Sequence, residues 1–362
     1  MSHKKKIVVS VSSDLSTDQR VQKVCDTLAR NNLEVLLLGR KLSSSTSFSS
    51  DSYATKRFKL WFNKGVLFYA NLNIRLFFAL LFTKLEVLYA NDLDTLLANY
   101  LVSKIKGVPI IYDSHEYFTE VPELVKRPSV QRVWERIEGF IVPRLTYCLA
   151  VTSQISKIYS DKYGVPFKVM RNFPMYVEQQ IPEKEKAILY QGALNIGRGL
   201  EELIAAMPQV NAELWIAGSG DIEQKLKSIV KNLALENKVL FLGRLAPAEL
   251  REYTLKVKLG VSLEHKMGLN YTFALPNKIF DYLHCETPIL YADLIEVKRV
   301  LDGVEVGQEL KSHISALLAN QLNEMLDSEN YELWQMNCKK LSVQLNWQNE
   351  EKVLIRILQE IS

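Results

Sequence analysis

The sequence predicts an α/β protein made of two parallel-sheet domains. Three observations carry that prediction. The 362 residues exceed what one ordinary core holds. Short apolar runs alternate with helical periods twice over, once in 1–172 and again in 187–345. Between the two series, "FPMYVEQQIPEKEK" at 173–186 has two prolines and a charged run, and reads as a linker.

Taken in order, "IVVSVSS" at 7–13 is a buried strand, and Val21, Val24, Cys25 and Leu28 mark one face of the helix that follows. "LEVLLLG", "EVLYAND", "PIIYDSHE" and "CLAVTSQ" are further strands with helical segments between them. Runs that are apolar on both faces indicate a parallel sheet covered on both sides. The serine-rich stretch 41–52 reads as a solvated loop. In the second series, "AILYQGAL", "AELWIAGSG", "KVLFLGRL", "KLGVSLEH" and "TPILYAD" are each trailed by a helix. The strand signal stops near 309, and helical periods run on to a final helix over 346–362. Ligands of such sheets sit at the carboxyl ends of the strands, so both domains are expected to turn their binding loops into a central cleft.

At 48% hydrophobic and 24% charged residues, the composition is that of a soluble globular protein. The longest obvious apolar run, "LFFALLF" at 76–82, is far short of the roughly 20 residues a membrane span needs. The N-terminal "MSHKKKIVVSVSS" lacks a small-residue cleavage site and is not read as a signal peptide. Four scattered cysteines without C-x-x-C suggest free thiols in a reducing, cytoplasmic setting. Five histidines without metal-ligand spacing give no metal site. Charge is uneven. The first 170 residues hold 24 Lys and Arg against 15 Asp and Glu, a balance of +9; the rest hold 21 against 26, a balance of −5. The basic half suits an anionic partner such as a membrane surface or a phosphorylated substrate, not nucleic acid. Residues 56–84 are basic and aromatic. They suit either peripheral contact with an anionic membrane or a helix packed on the first domain with a solvated basic face.

The chemistry-bearing residues gather at strand ends. In the first domain these are Asp14, Asp18 and Arg20 after the first strand, Asp92 and Asp94 in "YANDLD", and Asp113, His115 and Glu116 in "IYDSHEY". No G-x-G-x-x-G follows a first-domain strand, which argues against a dinucleotide site. In the second domain "YQGALNIGRGLEELI" brings Gly192 and Arg198 to the start of a helix, and "FLGRL" brings Gly243 and Arg244 to a strand end. "IAGSGD" offers glycines that a ligand or backbone can approach closely. In "NYTFALPNKIFDYL" Pro276 is expected to open a helix whose buried stripe is Ile279, Phe280 and Leu283. Asn277 and Lys278 then face forward with the free N–H groups of the first turn, an anion site. The plainer reading is a surface helix with a Lys278–Asp281 pair. Two cationic helix starts match a diphosphate, and Asn270 with Tyr271 suits the group it carries.

Taken together these segments resemble the GT-B-fold glycosyltransferases, specifically the retaining family 4, or group 1, branch. "TDQRVQKVCDTLARNNLEVLLLGR", "YDSHE", "VMRNFP", "LWIAGSGDIEQKL", "VLFLGRLAPAEL", "LPNKIFDYLHCETPIL" and "NWQNEEKVLIRIL" carry the likeness in order along nearly the whole chain. The resemblance implies a hexosyltransferase using a UDP- or GDP-sugar and a glycan or lipid-linked acceptor, without a cofactor or metal, in bacterial surface polysaccharide synthesis. It also implies that the last helix packs back on the first domain. Arg198 and Lys278 would hold the diphosphate, Asp281 the ribose, Arg244 and nearby backbone the base, and His115 the donor sugar. Asp14, Arg20 and Asp92 would face the acceptor. The sequence departs from the family at the first of two paired glutamates, where Phe273 falls; Glu264 is a candidate replacement. Ala193 stands near an expected arginine. Two other readings keep the fold: a nucleotide-sugar epimerase, and a non-catalytic partner subunit.

Overall fold

In the computed structural model the chain forms two compact units, Met1–Asn172 with Glu350–Ser362, and Phe173–Asn349. The structure describes residues 4–43 and 45–361; the first three residues of the basic N-terminus and Ser44 of the serine-rich stretch lie outside the described residues.

The first unit is built on seven parallel strands: β1 (Lys6–Asp14), β2 (Glu34–Lys41), β3 (Ala54–Lys59), β4 (Val87–Asn91), β5 (Ile110–Ser114), β6 (Tyr147–Ala150) and β7 (Phe167–Val169). Their order is β3-β2-β1-β4-β5-β6-β7. The chain adds strands outward from β1 to β3, then crosses back through the helix Gly65–Phe82 to lay β4 on the other side of β1. The β1/β4 boundary is therefore a topological switch point, where strand-end loops part and leave room for a ligand. Ile7, Val8, Val9, Leu37, Leu88 and Tyr89 are fully buried, as a sheet covered on both faces requires. The helix Gln19–Arg30 starts where Asp18 accepts the Val21 N–H at 3.1 Å, and buries Val21, Val24, Cys25 and Leu28 as their spacing predicts. The last helix, Trp347–Ile361, gives its residues from Glu350 onward to this unit. Glu351 accepts from Thr27 at 2.6 Å and pairs with Arg30, and Glu360 pairs with Lys168.

The second unit has six parallel strands: β8 (Glu185–Gln191), β9 (Glu213–Ala217), β10 (Val239–Gly243), β11 (Val257–Ser262), β12 (Ile289–Tyr291) and β13 (Gly307–Glu309). Their order is β10-β9-β8-β11-β12-β13, with its switch point at β8/β11. Alternate residues serve two cores. Ile188, Tyr190, Leu214 and Ile216 pack with Leu203 and Leu322, while Ala187, Leu189 and Trp215 pack with Ile279, Phe280 and Leu283. Each fully buried aliphatic side chain contributes on the order of 1.5–3 kcal/mol.

Three strands depart from the sequence reading. β3, β7 and β13 are short, and none is a long apolar run. The 56–84 segment is not one helix: its first residues form edge strand β3 and only Gly65–Phe82 is helical. That helix is longer than the visible apolar run, and by length and composition alone it is apolar enough to cross a membrane. Pro276 is the N-cap and not the first helical residue, so the helix runs Asn277–His284.

Candidate active site

At the β8/β11 switch point two cations converge on one carboxylate. Glu264 stands two residues past the end of β11 and is buried. Its Oε1 accepts from Lys278 Nζ at 2.8 Å and lies 3.4 Å from an Arg198 guanidinium nitrogen; its Oε2 accepts from Ser262 Oγ at 2.6 Å. Burial would raise the Glu264 carboxyl, but Lys278, Ser262 and Arg198 outweigh it and hold the group below its ordinary value, hence ionised. Each cation also rests on an aromatic ring. Lys278 Nζ lies 4.1 Å from the Tyr190 ring centre, and the Arg198 guanidinium 5.0 Å from that of Tyr271. Arg198 Nε is buried without a hydrogen-bond partner, while the side chain as a whole stays 25% exposed.

The fold fixes these groups through close backbone contact. A Cβ on Gly260 of β11 would sit 2.5 Å from the Tyr282 ring, so only glycine lets the helix Asn277–His284 lie flat on the strand. Tyr282 Oη then donates to the Leu189 carbonyl of β8 at 2.9 Å, which sets the helix in register with the switch point. One turn beyond Lys278, Asp281 accepts from Gln191 Nε2 at 2.7 Å, and Gln191 Oε1 accepts from Thr254 at 3.0 Å. Lys278 thus turns to Glu264 and Asp281 to Gln191. The glycines of "IAGSGD" admit the chain itself: a Cβ on Gly218 would fall 1.8 Å from the Gly192 carbonyl oxygen. Gly192 donates to Ala217, and Gly218 to Gly243, so the ends of β8, β9 and β10 are tied together.

In the first unit a second cluster occupies the β1/β4 switch point. Arg20 is buried and forms a fork on Asp113, with guanidinium–carboxylate distances of 2.8 to 3.2 Å, and also donates to the Met170 carbonyl at 2.9 Å. Tyr89 Oη donates to Asp113 at 2.7 Å. His115 lies between two carboxylates, with Nε2 3.3 Å from Asp113 and Nδ1 3.3 Å from Asp92. Its backbone N–H donates to Asp92 at 2.7 Å. Burial would lower the His115 pKa, but Asp92 and Asp113 raise it to about 9, so the ring is an imidazolium at neutral pH. Asp113 is held well below the carboxylate range; its burial is outweighed by Arg20 and His115. Asp92 takes a left-handed backbone, φ 57°, which brings its carboxylate against His115. Burial beside Asp92 raises Asp94 to about 7.

The other expected residues are dispersed. Arg20 was read as an acceptor contact, but its side chain is 4% exposed and committed to Asp113, so it braces the loop from behind. Asp14 accepts from Ser16 and Ser45 and lies 3.7 Å from Arg57, which organises the serine-rich loop around it. Arg244 is exposed just past β10, Asn277 is exposed at the first turn of its helix, and Asn270 is half-buried in the short helix Gly268–Thr272. Sequence reasoning missed Tyr89, Tyr190 and Gln191. Tyr89 and Tyr190 point from within strands and Gln191 from the last residue of β8, where side-chain direction depends on which face the neighbouring helix covers.

Residues 176–339 match the family described as glycosyl transferases group 1. An uncharacterized glycosyltransferase of Methanocaldococcus jannaschii is 43% identical over 67 residues, which is 17% of this chain and 17% of that protein. Among solved structures, sucrose-phosphate synthase from Thermosynechococcus elongatus superposes with a TM-score of 0.77 at 16% identity, over 99% of both chains. HepE of Anabaena, in complex with UDP and glucose, superposes with a TM-score of 0.75 at 15% identity, over 98% of this chain and 100% of that one. At these identities the structural matches establish the fold, which is the two-unit, Rossmann-like GT-B plan. Lys278 and Arg198, which meet at the switch point of the second unit, lie within the residues that match the group 1 glycosyl transferase model.

Proposed function

We propose that this chain is a glycosyltransferase that moves a hexose-type sugar from a UDP- or GDP-sugar to a glycan or lipid-linked acceptor. On this reading configuration is retained and no metal takes part. The observation that carries it is the convergence of Lys278 and Arg198 on one point within the matched domain. Departure of a nucleoside diphosphate builds negative charge on its phosphate oxygens. Cations already fixed in place stabilise that charge more in the transition state than in the ground state. Asp281 meets the ribose hydroxyls, Arg244 and the backbone at Gly243 meet the base, and Tyr271 with Asn270 lies beside the group that the diphosphate carries. The UDP and glucose held by HepE support a UDP-linked donor. In retaining transfer with front-face attack, the leaving phosphate takes the acceptor proton, so no protein nucleophile is required. The sequence resemblance assigns His115 to the donor sugar and Asp14 and Asp92 to the acceptor. Bacterial surface polysaccharide is the setting implied by the sequence resemblance.

The test is a panel of nucleotide sugars with the purified chain, reading transfer and donor hydrolysis, alongside Lys278→Ala and Arg198→Ala. One donor should turn over, and each variant should lose roughly 10²–10³ in rate. Full turnover in both variants would refute the phosphate assignment. Absence of any thermal shift with UDP, GDP or ADP would favour the non-catalytic partner reading.

A further inference from the structure

The helix Gly65–Phe82 is apolar on two opposite faces. Leu72, Leu76 and Leu80 point inward and are fully buried, and the helix packs against its neighbour Asp92–Lys106. Val66, Ile74, Phe78 and Phe82 fall at multiples of four residues and form a second stripe that faces outward; Phe78 is 52% and Phe82 82% exposed. A helix that is apolar all round is normally buried, yet only 28% of this one is. Phe58 of β3 joins Ile74, Phe78 and Phe82 in lining a groove of about 430 Å³, with Lys56 and Arg75 on its walls. Arg75 stacks 4.9 Å over the ring of Trp61, which is 77% exposed.

We propose that this face docks on an anionic phospholipid bilayer, with the helix lying along the interface. Charge selects the occupant. Residues 53–85 contain six Lys and Arg and no Asp or Glu. Lys56, Lys59, Lys64 and Lys84 are all exposed around the apolar stripe. A second copy of the chain packed symmetrically on the same patch would set cation against cation. A bilayer bearing anionic headgroups offers both an apolar layer for the stripe and counter-charge for its rim, each basic residue near the surface adding roughly fivefold to binding. The helix lies on the membrane and not across it, because its inner stripe is already engaged with the protein. The proposal is independent of the transfer chemistry.

The test is co-sedimentation of the full chain with vesicles of phosphatidylcholine alone and of phosphatidylcholine mixed with phosphatidylglycerol, at low and high salt. Binding is expected only to the mixed vesicles and should weaken with salt. Phe78→Glu with Phe82→Glu should lower partitioning by about tenfold or more. Lys56→Glu with Lys64→Glu should lower it by a comparable factor at low salt and leave little salt dependence. Both pairs are exposed, so the thermal midpoint and any nucleotide-induced shift should match the parent. Two results would overturn the proposal. One is absence of binding to the mixed vesicles. The other is a dimer in sedimentation velocity that Phe78→Glu with Phe82→Glu disperses while vesicle binding is absent.

Discussion

At the β8/β11 switch point two cations share one carboxylate, whereas at the β1/β4 switch point two cations face two carboxylates. Lys278 and Arg198 against Glu264 leave a surplus positive charge, and the Arg198 side chain is 25% exposed. Arg20 and His115 against Asp113 and Asp92 leave none, and both ring nitrogens of His115 are engaged. Two sites at equivalent places in two similar sheets are thus set for different work. The β1/β4 cluster holds a fixed geometry, and the β8/β11 cluster can recruit an anion. Glu264 keeps Lys278 and Arg198 from repelling each other before that anion arrives; its short contacts to Ser262 and Lys278 fix the carboxylate, and Arg198 approaches it at 3.4 Å.

The comparison breaks most visibly at Arg20. If its fork on Asp113 is structural, Arg20→Ala should lower unfolding free energy by about 3–5 kcal/mol, since it strands a buried carboxylate; urea unfolding measures this. Next is Lys278→Ala, which should lower kcat/KM by roughly 10²–10³, equivalent to about 3–4 kcal/mol of transition-state stabilisation. This variant also strands Glu264, so activity must be read on folded protein. Lys278→Ala combined with Glu264→Gln should recover stability but not turnover.

Third is pH. The His115 pKa is raised from its ordinary 6.5 to about 9, so its stabilising contribution is complete below about pH 6.5 and is lost as pH rises through 9. His115→Gln should flatten that part of the stability profile by on the order of 2–3 kcal/mol. Asp94 titrates in the opposite sense for a carboxylate. With its pKa raised to about 7, it destabilises increasingly as pH climbs from about 4 to 7. Asp94→Asn should therefore raise the thermal midpoint at pH 8 by a few degrees. The smallest effect belongs to Asp281→Ala, which removes the proposed ribose contact and should raise donor KM about tenfold while changing kcat less.

Ten of the thirteen described strands are legible as apolar runs, most of them because they are covered on both faces; β10, at a sheet edge with Leu240 exposed, is legible from its apolar composition alone. β3, "ATKRFK", is an edge strand with three cations, and β13, "GQE", is polar and three residues long; neither carries the burial that makes a strand visible. Arg198, Lys278, Asp281 and His115 are legible as strand-end and helix-start residues. What they touch is not. The sequence offers Asp281 as the partner of Lys278 one turn away, while the structure offers Glu264, fourteen residues earlier, because β11 and the helix Asn277–His284 are brought together by Gly260 and Tyr282. Arg20 shows the same limit from the other side. A polar residue in a strand-end loop reads as exposed, and only the fold reveals the buried aspartate behind it.

The most direct test is isothermal titration of UDP and GDP into the parent chain and into Lys278→Met combined with Glu264→Gln. The double variant removes both members of the buried Lys278–Glu264 pair and leaves Arg198, whose side chain is 25% exposed, as the remaining charge, so no buried charge is stranded and the grip on the diphosphate is weakened. One nucleotide should bind the parent, and its affinity should fall at least about tenfold in the variant. Undiminished affinity in the variant would contradict the placement of the diphosphate between Lys278 and Arg198.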